Sequence, residues 1–336
     1  MAGSTDDVGA ALDRAVRRRA GLVVGVRERD GSTRVVGRAR EGAVPDGRSL
    51  HEIGSVTKTF TSLLLADGAV RGEWSLDTPV RDLLPSGTRV PARDGVEITL
   101  AHLATHTSGL PSLPVPAVRG SVDMLRGRDP YRDLTPEGLL EALGRARLRR
   151  TPGSGTVHYS NLGVGVLGQA LAHATGTSYG DLVQQRVCAP LGLVDTATDD
   201  RLSDEQRSRL VPGHRRRSAP AAPWPLAGMP GAGGLRSTVD DLLVYLEAQL
   251  DPGSTPLGEA VRLTQQPRVT RGQTIGLGWL RHDRPDHLWW HNGGTGGYRS
   301  FAGFVPAEGV AVVVLSNHAR SVDPLALRRL RLAVEQ

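Results

Sequence analysis

Apolar positions recur at two periods along this chain, and the change of period divides it. Residues 6–19 alternate like an amphipathic helix. "GLVVGVRE", "DGS" and "TRVVGRA" then form a hairpin, two β-rich runs around a turn dipeptide. "SLHEIGS" reads as a third short strand, and 55–70 returns to helix with Val56, Phe60, Leu63 and Leu64 on one side. From about 76 to 235 helical segments such as "TPEGLLEALGRAR", "NLGVGVLGQALAHATG" and "SYGDLVQQRVCAPLG" are separated by Pro/Gly loops. After the capped helix "STVDDLLVYLEAQL" strand character resumes. "IGLGWLRH", "HLWWHN", "YRSFAGFV" and "VAVVVLSN" follow one another through short turns as an antiparallel meander, and a helix over 322–335 closes the chain.

Both ends therefore supply sheet and the middle supplies helices. The expected fold class is α/β (α+β): an antiparallel β-sheet flanked by N- and C-terminal helices, with an inserted, mostly helical subdomain. The expected boundaries are 1–75 and 236–336 for the sheet domain and 76–235 for the insertion, with the site between them. Two Pro/Gly-rich loops, 107–134 and 211–234, are long enough to be functional or disordered. No internal repeat is visible.

The 336 residues are 39% hydrophobic and 23% charged, an ordinary globular balance, and with 4% aromatics the core must be aliphatic. A formal net charge of +6 raises nucleic-acid binding. The basic clusters "RAVRRR", "RARLRR" and "HRRR" are short, scattered and free of interleaved aromatics, so nucleic acid is set aside as a partner. The single cysteine, Cys188, permits no internal disulfide and sits among apolar neighbours as a buried structural thiol. No window approaches the ~20 apolar residues of a membrane span. The N-terminus opens polar and acidic without the features of an export signal, so the expected location is the cytoplasm.

Of 41 Lys and Arg residues only one, Lys58, is lysine. It stands three residues after Ser55, so on a helix the two share a face with Cβ atoms ~5–6 Å apart. A serine needs an adjacent base to become a nucleophile. Arginine cannot be that base, whereas a buried lysine can lose its proton near neutral pH. Ser55 also falls at the expected helix N-terminus, where backbone N–H groups favour developing negative charge. A second element, "HYSN", places Tyr159 and Asn161 at the entry to the helix 162–176. A neighbouring ammonium would lower the pKa of Tyr159 toward a useful base, and the Asn161 amide would bind a substrate carbonyl; a buried Tyr beside a capping Asn is the structural alternative. In the third element, "WWHNGGTGGYRSF", a strand ends at His291, and Gly293 and Gly294 permit close approach of another backbone or a ligand. A Gly294 N–H facing that of Ser55 would make an oxyanion hole.

Together, Ser55-Val-Thr-Lys58, Tyr159-Ser-Asn161 and His291-Asn-Gly293 resemble the serine β-lactamase and penicillin-binding-protein superfamily, in its class C-like branch. "ITLAHLATHTSGLP" and "AGGLRSTVDDLLVYL" are similar to phrases of that family, and the resemblance runs from about residue 20 to 318. It implies acyl transfer through a covalent acyl-Ser55, with Lys58 and Tyr159 sharing the proton handling and no metal or organic cofactor. His102 and His106 are spaced as on a zinc helix, but "HLATH" lacks the glutamate of that motif, and in relatives the segment is structural. His291 stands where β-lactamases of the branch carry lysine; relatives with histidine there look like D-amino-acid peptidases and broad esterases. The expected activity is a serine hydrolase, esterase- or D-peptidase-like, acting on a small-molecule ester, amide or peptide, with weak β-lactamase activity as a further option. The alternatives are a cytoplasmic biosynthetic acyltransferase and a catalytically silent ligand-binding member. Arg132, Arg215, Arg216 and Arg217 are candidates to meet an anionic substrate, though as solvated surface charges they need no such role. The oligomeric state is not legible.

Overall fold

The computed structural model describes residues 4–114, 122–123, 128–215, 219–282 and 287–335. Helix α1 (Ser4–Val16) leads into the hairpin β1 (Gly21–Arg27) and β2 (Thr33–Ala39). The short β3 (His51–Glu52) precedes α2 (Thr57–Val70). The middle comprises α3 (Leu100–Ala104), α4 (Pro136–Arg145), α5 (Asn161–Thr175), α6 (Tyr179–Val183), β4 (Ala197–Thr198) and β5 (Leu235–Ser237). Then come α7 (Val239–Leu250), α8 (Gly258–Thr264), β6 (Thr274–Ile275), β7 (Leu280–His282), β8 (Leu288–Gly294), β9 (Arg299–Val305), β10 (Val310–Ser316) and α9 (Asp323–Glu335).

Seven strands form one antiparallel sheet in the order β2-β1-β10-β9-β8-β7-β6, so β1 from the start of the chain pairs with β10 near its end. The strands β1 and β10 read as unbroken apolar runs because both of their faces are covered. Leu22, Val24, Val26, Val310, Val312 and Val314 pack under α1 and α9. The alternate residues Val23, Ala311, Val313 and Leu315 join the larger core beneath α2, α5 and α7. Each such valine contributes roughly 1.5–3 kcal/mol of burial. That larger core runs without interruption from the sheet into the helical middle, reaching Leu139, Leu167 and Val187.

The third strand differs from the sequence expectation. His51 and Glu52 do not join the main sheet; they pair with Ser237 and Arg236 of β5 in a separate sheet ordered β3-β5-β4. Two residues carry too short a pattern to name their partner. β5 also straddles the 235/236 boundary, tying the helical middle to the strand that introduces the serine. Helix α2 differs too: Thr57 to Gly68 are all buried, polar residues included, so it is a central helix and not an amphipathic one. Its threonine hydroxyls are absorbed internally, Thr59 donating to the Val56 carbonyl and Thr61 to that of Gly231, whereas the buried Ser62 hydroxyl has no partner among the described residues.

Candidate active site

Ser55 lies on a 3-10 turn, Gly54–Val56, that runs into α2 at Thr57. The helix starts two residues later than the apolar period implied. The geometry gains from this, because residues three apart eclipse one another on a 3-10 turn. Gly54 has φ +50°, and β8 lies flush against it: a Cβ on Gly54 would fall 2.6 Å from Gly294 N, and one on Gly293 2.0 Å from Ile53 O and 2.9 Å from Ser55 N. No side chain fits at either place. The expected close approach of Gly293 and Gly294 is thus an approach to the serine's own backbone.

Lys58 is completely buried. Its Nζ lies 3.0 Å from Ser55 Oγ, 2.8 Å from Asn161 Oδ1 and 2.5 Å from the Ala232 carbonyl oxygen. It also stands over the Tyr159 ring, 4.9 Å from the centroid. None of these partners is a carboxylate, so nothing offsets the loss of water around the ammonium, and burial lowers the Lys58 pKa to about 7. The neutral amine has two protons and one lone pair. Two of its partners can only accept, so the lone pair is left for the Ser55 hydroxyl.

Asn161 is the first residue of α5, while the helix is capped by Ser160, whose Oγ accepts from Gly163 N at 2.9 Å. The capping alternative therefore belongs to Ser160. Asn161 Oδ1 is occupied by Lys58, so only its amide NH₂ can reach a substrate carbonyl. Tyr159, from the loop before Ser160, reaches the Ser55 hydroxyl with its phenol. The residue as a whole is 37% exposed while its phenol is enclosed. Burial pushes its pKa up, opposed more weakly by the Ser55 contact. The expectation that Lys58 would lower this pKa is corrected: with a pKa of about 7 the amine is already neutral at the pH where a phenol would ionise, so it offers no charge to a phenolate.

His291 on β8 is buried, with its Nδ1 2.6 Å from the Asn292 carbonyl oxygen and its ring 6.3 Å from that of Tyr159. Burial, then the neighbouring Lys58, hold its pKa down at about 3, so it is a neutral imidazole. The sequence singled out His106 only as a doubtful metal ligand. It packs on Tyr159 with ring centroids 4.4 Å apart, and its Nδ1 accepts from Ser160 N at 3.2 Å. Its backbone sits at φ +57°, a left-handed conformation uncommon outside glycine. His102 turns the other way, its Nδ1 closing the capping box of α3 with Thr99 N–H at 3.2 Å. Among the described residues no group of three or more His, Cys, Asp or Glu is placed to hold a metal ion.

Three participants were missed in the sequence: the Ala232 carbonyl, Tyr131, whose hydroxyl meets Asn161, and the buried pair Glu52–Arg236 directly before the serine turn. A backbone carbonyl leaves no sequence signal, but "HEIGS" does place an acid three residues from Ser55. Two of the four arginines considered for an anionic substrate are engaged elsewhere. Arg132 pairs with Asp123 at 3.1 Å and Arg215 donates to the Pro220 carbonyl; Arg216 and Arg217 lie outside the described residues. No described helix is long and apolar enough to cross a membrane.

A two-terminus antiparallel sheet, helices packed against it and a buried serine–lysine pair are the architecture of serine hydrolases related to β-lactamases. A family model described as Beta-lactamase matches residues 9–336, and the chain belongs to that family. The D-alanyl-D-alanine-carboxypeptidase/endopeptidase AmpH of Escherichia coli K12 is 30% identical over 309 residues, covering 85% of this chain and 77% of that protein. The esterase EstB of Burkholderia gladioli is 32% identical over 312 residues, covering 81% and 78%. A class C β-lactamase structure from Rhodobacter sphaeroides superposes with a TM-score of 0.80 at 26% identity, over 98% of this chain and 99% of that one. The molecule is accordingly a β-lactamase-family serine hydrolase of mixed α/β fold.

Proposed function

We propose that the protein hydrolyses uncharged esters and D-peptide-like amides through an acyl-Ser55 intermediate. The observation that carries this reading is the Lys58 Nζ, 3.0 Å from Ser55 Oγ and held by two carbonyl oxygens that keep its lone pair on the serine. Ser55 Oγ attacks the carbonyl carbon as its proton passes to neutral Lys58. The oxyanion is received by the N–H groups of Ser55 and Gly294, which the tight packing of β8 on Gly54 brings side by side. Tyr159, a protonated phenol, delivers a proton to the departing alkoxide or amine and is reprotonated from Lys58. Water then adds to the acyl carbon, the Ser55 C–O bond breaks, and acid and free serine are regenerated.

Substrate preference follows from His291. A neutral imidazole gives a substrate carboxylate no cation to pair with, which favours uncharged esters, the chemistry named for EstB, and carboxylate-free D-amino-acid amides over carboxylate-bearing β-lactams and carboxypeptidase substrates. Purified protein assayed on p-nitrophenyl butyrate, D-alanine p-nitroanilide and nitrocefin tests this. The ester and the carboxylate-free amide are expected to exceed nitrocefin in kcat/KM; a dominant nitrocefin activity would overturn the preference. A fluorophosphonate probe is expected to label Ser55, and lack of labelling would favour a silent binding protein. An amine or alcohol that captures the acyl group in preference to water would make the enzyme an acyltransferase.

A further inference from the structure

Behind the catalytic helix lies a second cleft of about 620 Å³ that shares no residue with the Ser55 site. Its size falls within the ~300–1,000 Å³ of small-molecule sites. Leu84, Pro85, Leu140, Ala172, Pro225 and Pro230 give it apolar walls. Glu137, Asp199 and Asp200 line it as well, and among the described residues no lysine or arginine does. Asp199 and Asp200 also meet Arg236, Arg207 and Arg201 from outside the cleft, whereas exposed Glu137 makes no ion pair among the described residues. In the wall, Thr198 is 4% exposed and its Oγ1 has no hydrogen-bond partner. Beside it stands Gly180, where a Cβ would fall 2.5 Å from that oxygen.

The wall between this cleft and the catalytic site is the segment 224–232. Pro225, Ala227 and Pro230 line the back cleft, while Trp224 packs edge-on against Tyr131 and the Ala232 carbonyl holds Lys58. Tyr179, another wall residue, has its hydroxyl 2.8 Å from Thr61 Oγ1, which donates at 2.7 Å to the Gly231 carbonyl, the neighbour of Ala232. We propose that the back cleft is a ligand site for a small amphiphilic cation, an apolar body bearing one protonated amine, and that its occupancy is transmitted to Lys58 through Tyr179, Thr61 and the 231–232 backbone. The apolar walls take the body, Glu137 draws the ammonium, and Thr198 supplies the unused hydroxyl. A ligand that displaces Tyr179 or Pro230 moves the carbonyl that fixes the lysine, which couples the two sites.

Octylammonium is the probe, with octanol and octanoate as charge controls, titrated calorimetrically into the full chain. One site with a dissociation constant around 1 mM or below is expected, which a ligand of this size can reach. The two controls are expected to bind about tenfold more weakly, a difference of about 1.4 kcal/mol. Ala227→Trp, at an exposed position whose new ring fills the cleft, is expected to weaken binding about tenfold or more, and Glu137→Gln about threefold. Neither change touches the serine site. Because Lys58 is the only lysine, ¹³Cε-lysine labelling gives one NMR resonance for it. Saturating octylammonium is expected to move that resonance in wild type and not in Ala227→Trp. Absence of binding, equal binding of octanoate, or indifference to Ala227→Trp would overturn the site. A Lys58 resonance unmoved at saturation would overturn the coupling. Neither readout requires catalysis, so failure here is distinguishable from failure of the hydrolase reading.

Discussion

Among the described residues two cations are completely buried, Lys58 and Arg236, and they are held in opposite ways. Arg236 meets Glu52 at 3.4 Å and Asp199 at 3.2 Å, so its charge is answered by charge. Lys58 meets a hydroxyl, an amide oxygen and a peptide carbonyl, so its charge is answered only by dipoles. Burying an ion costs several kcal/mol unless it is paired. Guanidinium cannot escape that cost by releasing a proton, and the fold brings it carboxylates. Ammonium can, and the fold withholds them. The contrast separates a cation kept to hold the structure from one kept to lose its proton.

Lys58→Arg should break the contrast most severely. A permanent cation then occupies the base position, and fluorophosphonate labelling of Ser55 is expected to fall by about 10³-fold or more, the scale of losing a base that activates a nucleophile. Labelling within a few-fold of wild type would refute the base role. Arg236→Met attacks the other cation. It leaves Glu52 buried and unpaired, and urea denaturation is expected to show a loss of roughly 3–5 kcal/mol. Lys58→Met removes a cation that has no counter-charge. It is expected to abolish acylation yet hold or raise stability, by up to about 2 kcal/mol, as at other sites strained for function. Equal destabilisation by the two methionine substitutions would erase the distinction.

The pH dependence sharpens the comparison further. With Lys58 at about 7, its single ¹³Cε resonance should titrate there, and kcat/KM should rise with pH through the same midpoint as the amine becomes neutral. Tyr159→Phe is expected to slow turnover ~10²-fold while leaving that midpoint in place; a lost limb would move the base role to the tyrosine. The folded-state pKa of Lys58 lies below its unfolded value. The unfolded chain therefore binds the extra proton between about 7 and 10.5, and the Lys58 contribution to stability improves as pH rises through that window. His51 at about 4 and His291 at about 3 are also depressed. Their share of stability is complete above their ordinary value of 6.5 and declines as pH falls below it, which a melting-temperature series from pH 7 to 4 would record. The smallest effect concerns selectivity: His291→Lys restores a cation at the cleft and is expected to raise the nitrocefin-to-ester ratio by about tenfold.

Much of this was legible in the chain. The β1 and β10 runs are apolar at every position or nearly so because both faces of the strand are covered, and that pattern needs no knowledge of partners. Ser55 and Lys58 lie three residues apart, so local geometry brings them together whether the turn is 3-10 or α. The His51–Glu52 pairing with β5 was not legible, since two residues have no period. The burial of α2 all round was not legible either, because its threonines look solvent-facing until their hydroxyls are seen bonded inside.

What the sequence determined alone is the identity of the groups: one proton-losing cation beside one hydroxyl, with glycines that let a strand lie against them. What the tertiary structure decided is the protonation of those groups. Asn161 and Ala232 reach Lys58 across 103 and 174 residues of chain. A pKa depends on which charges stay away as much as on which dipoles arrive. That exclusion is a property of packing in three dimensions, where Glu52 is turned toward Arg236 although it lies only six residues before Lys58.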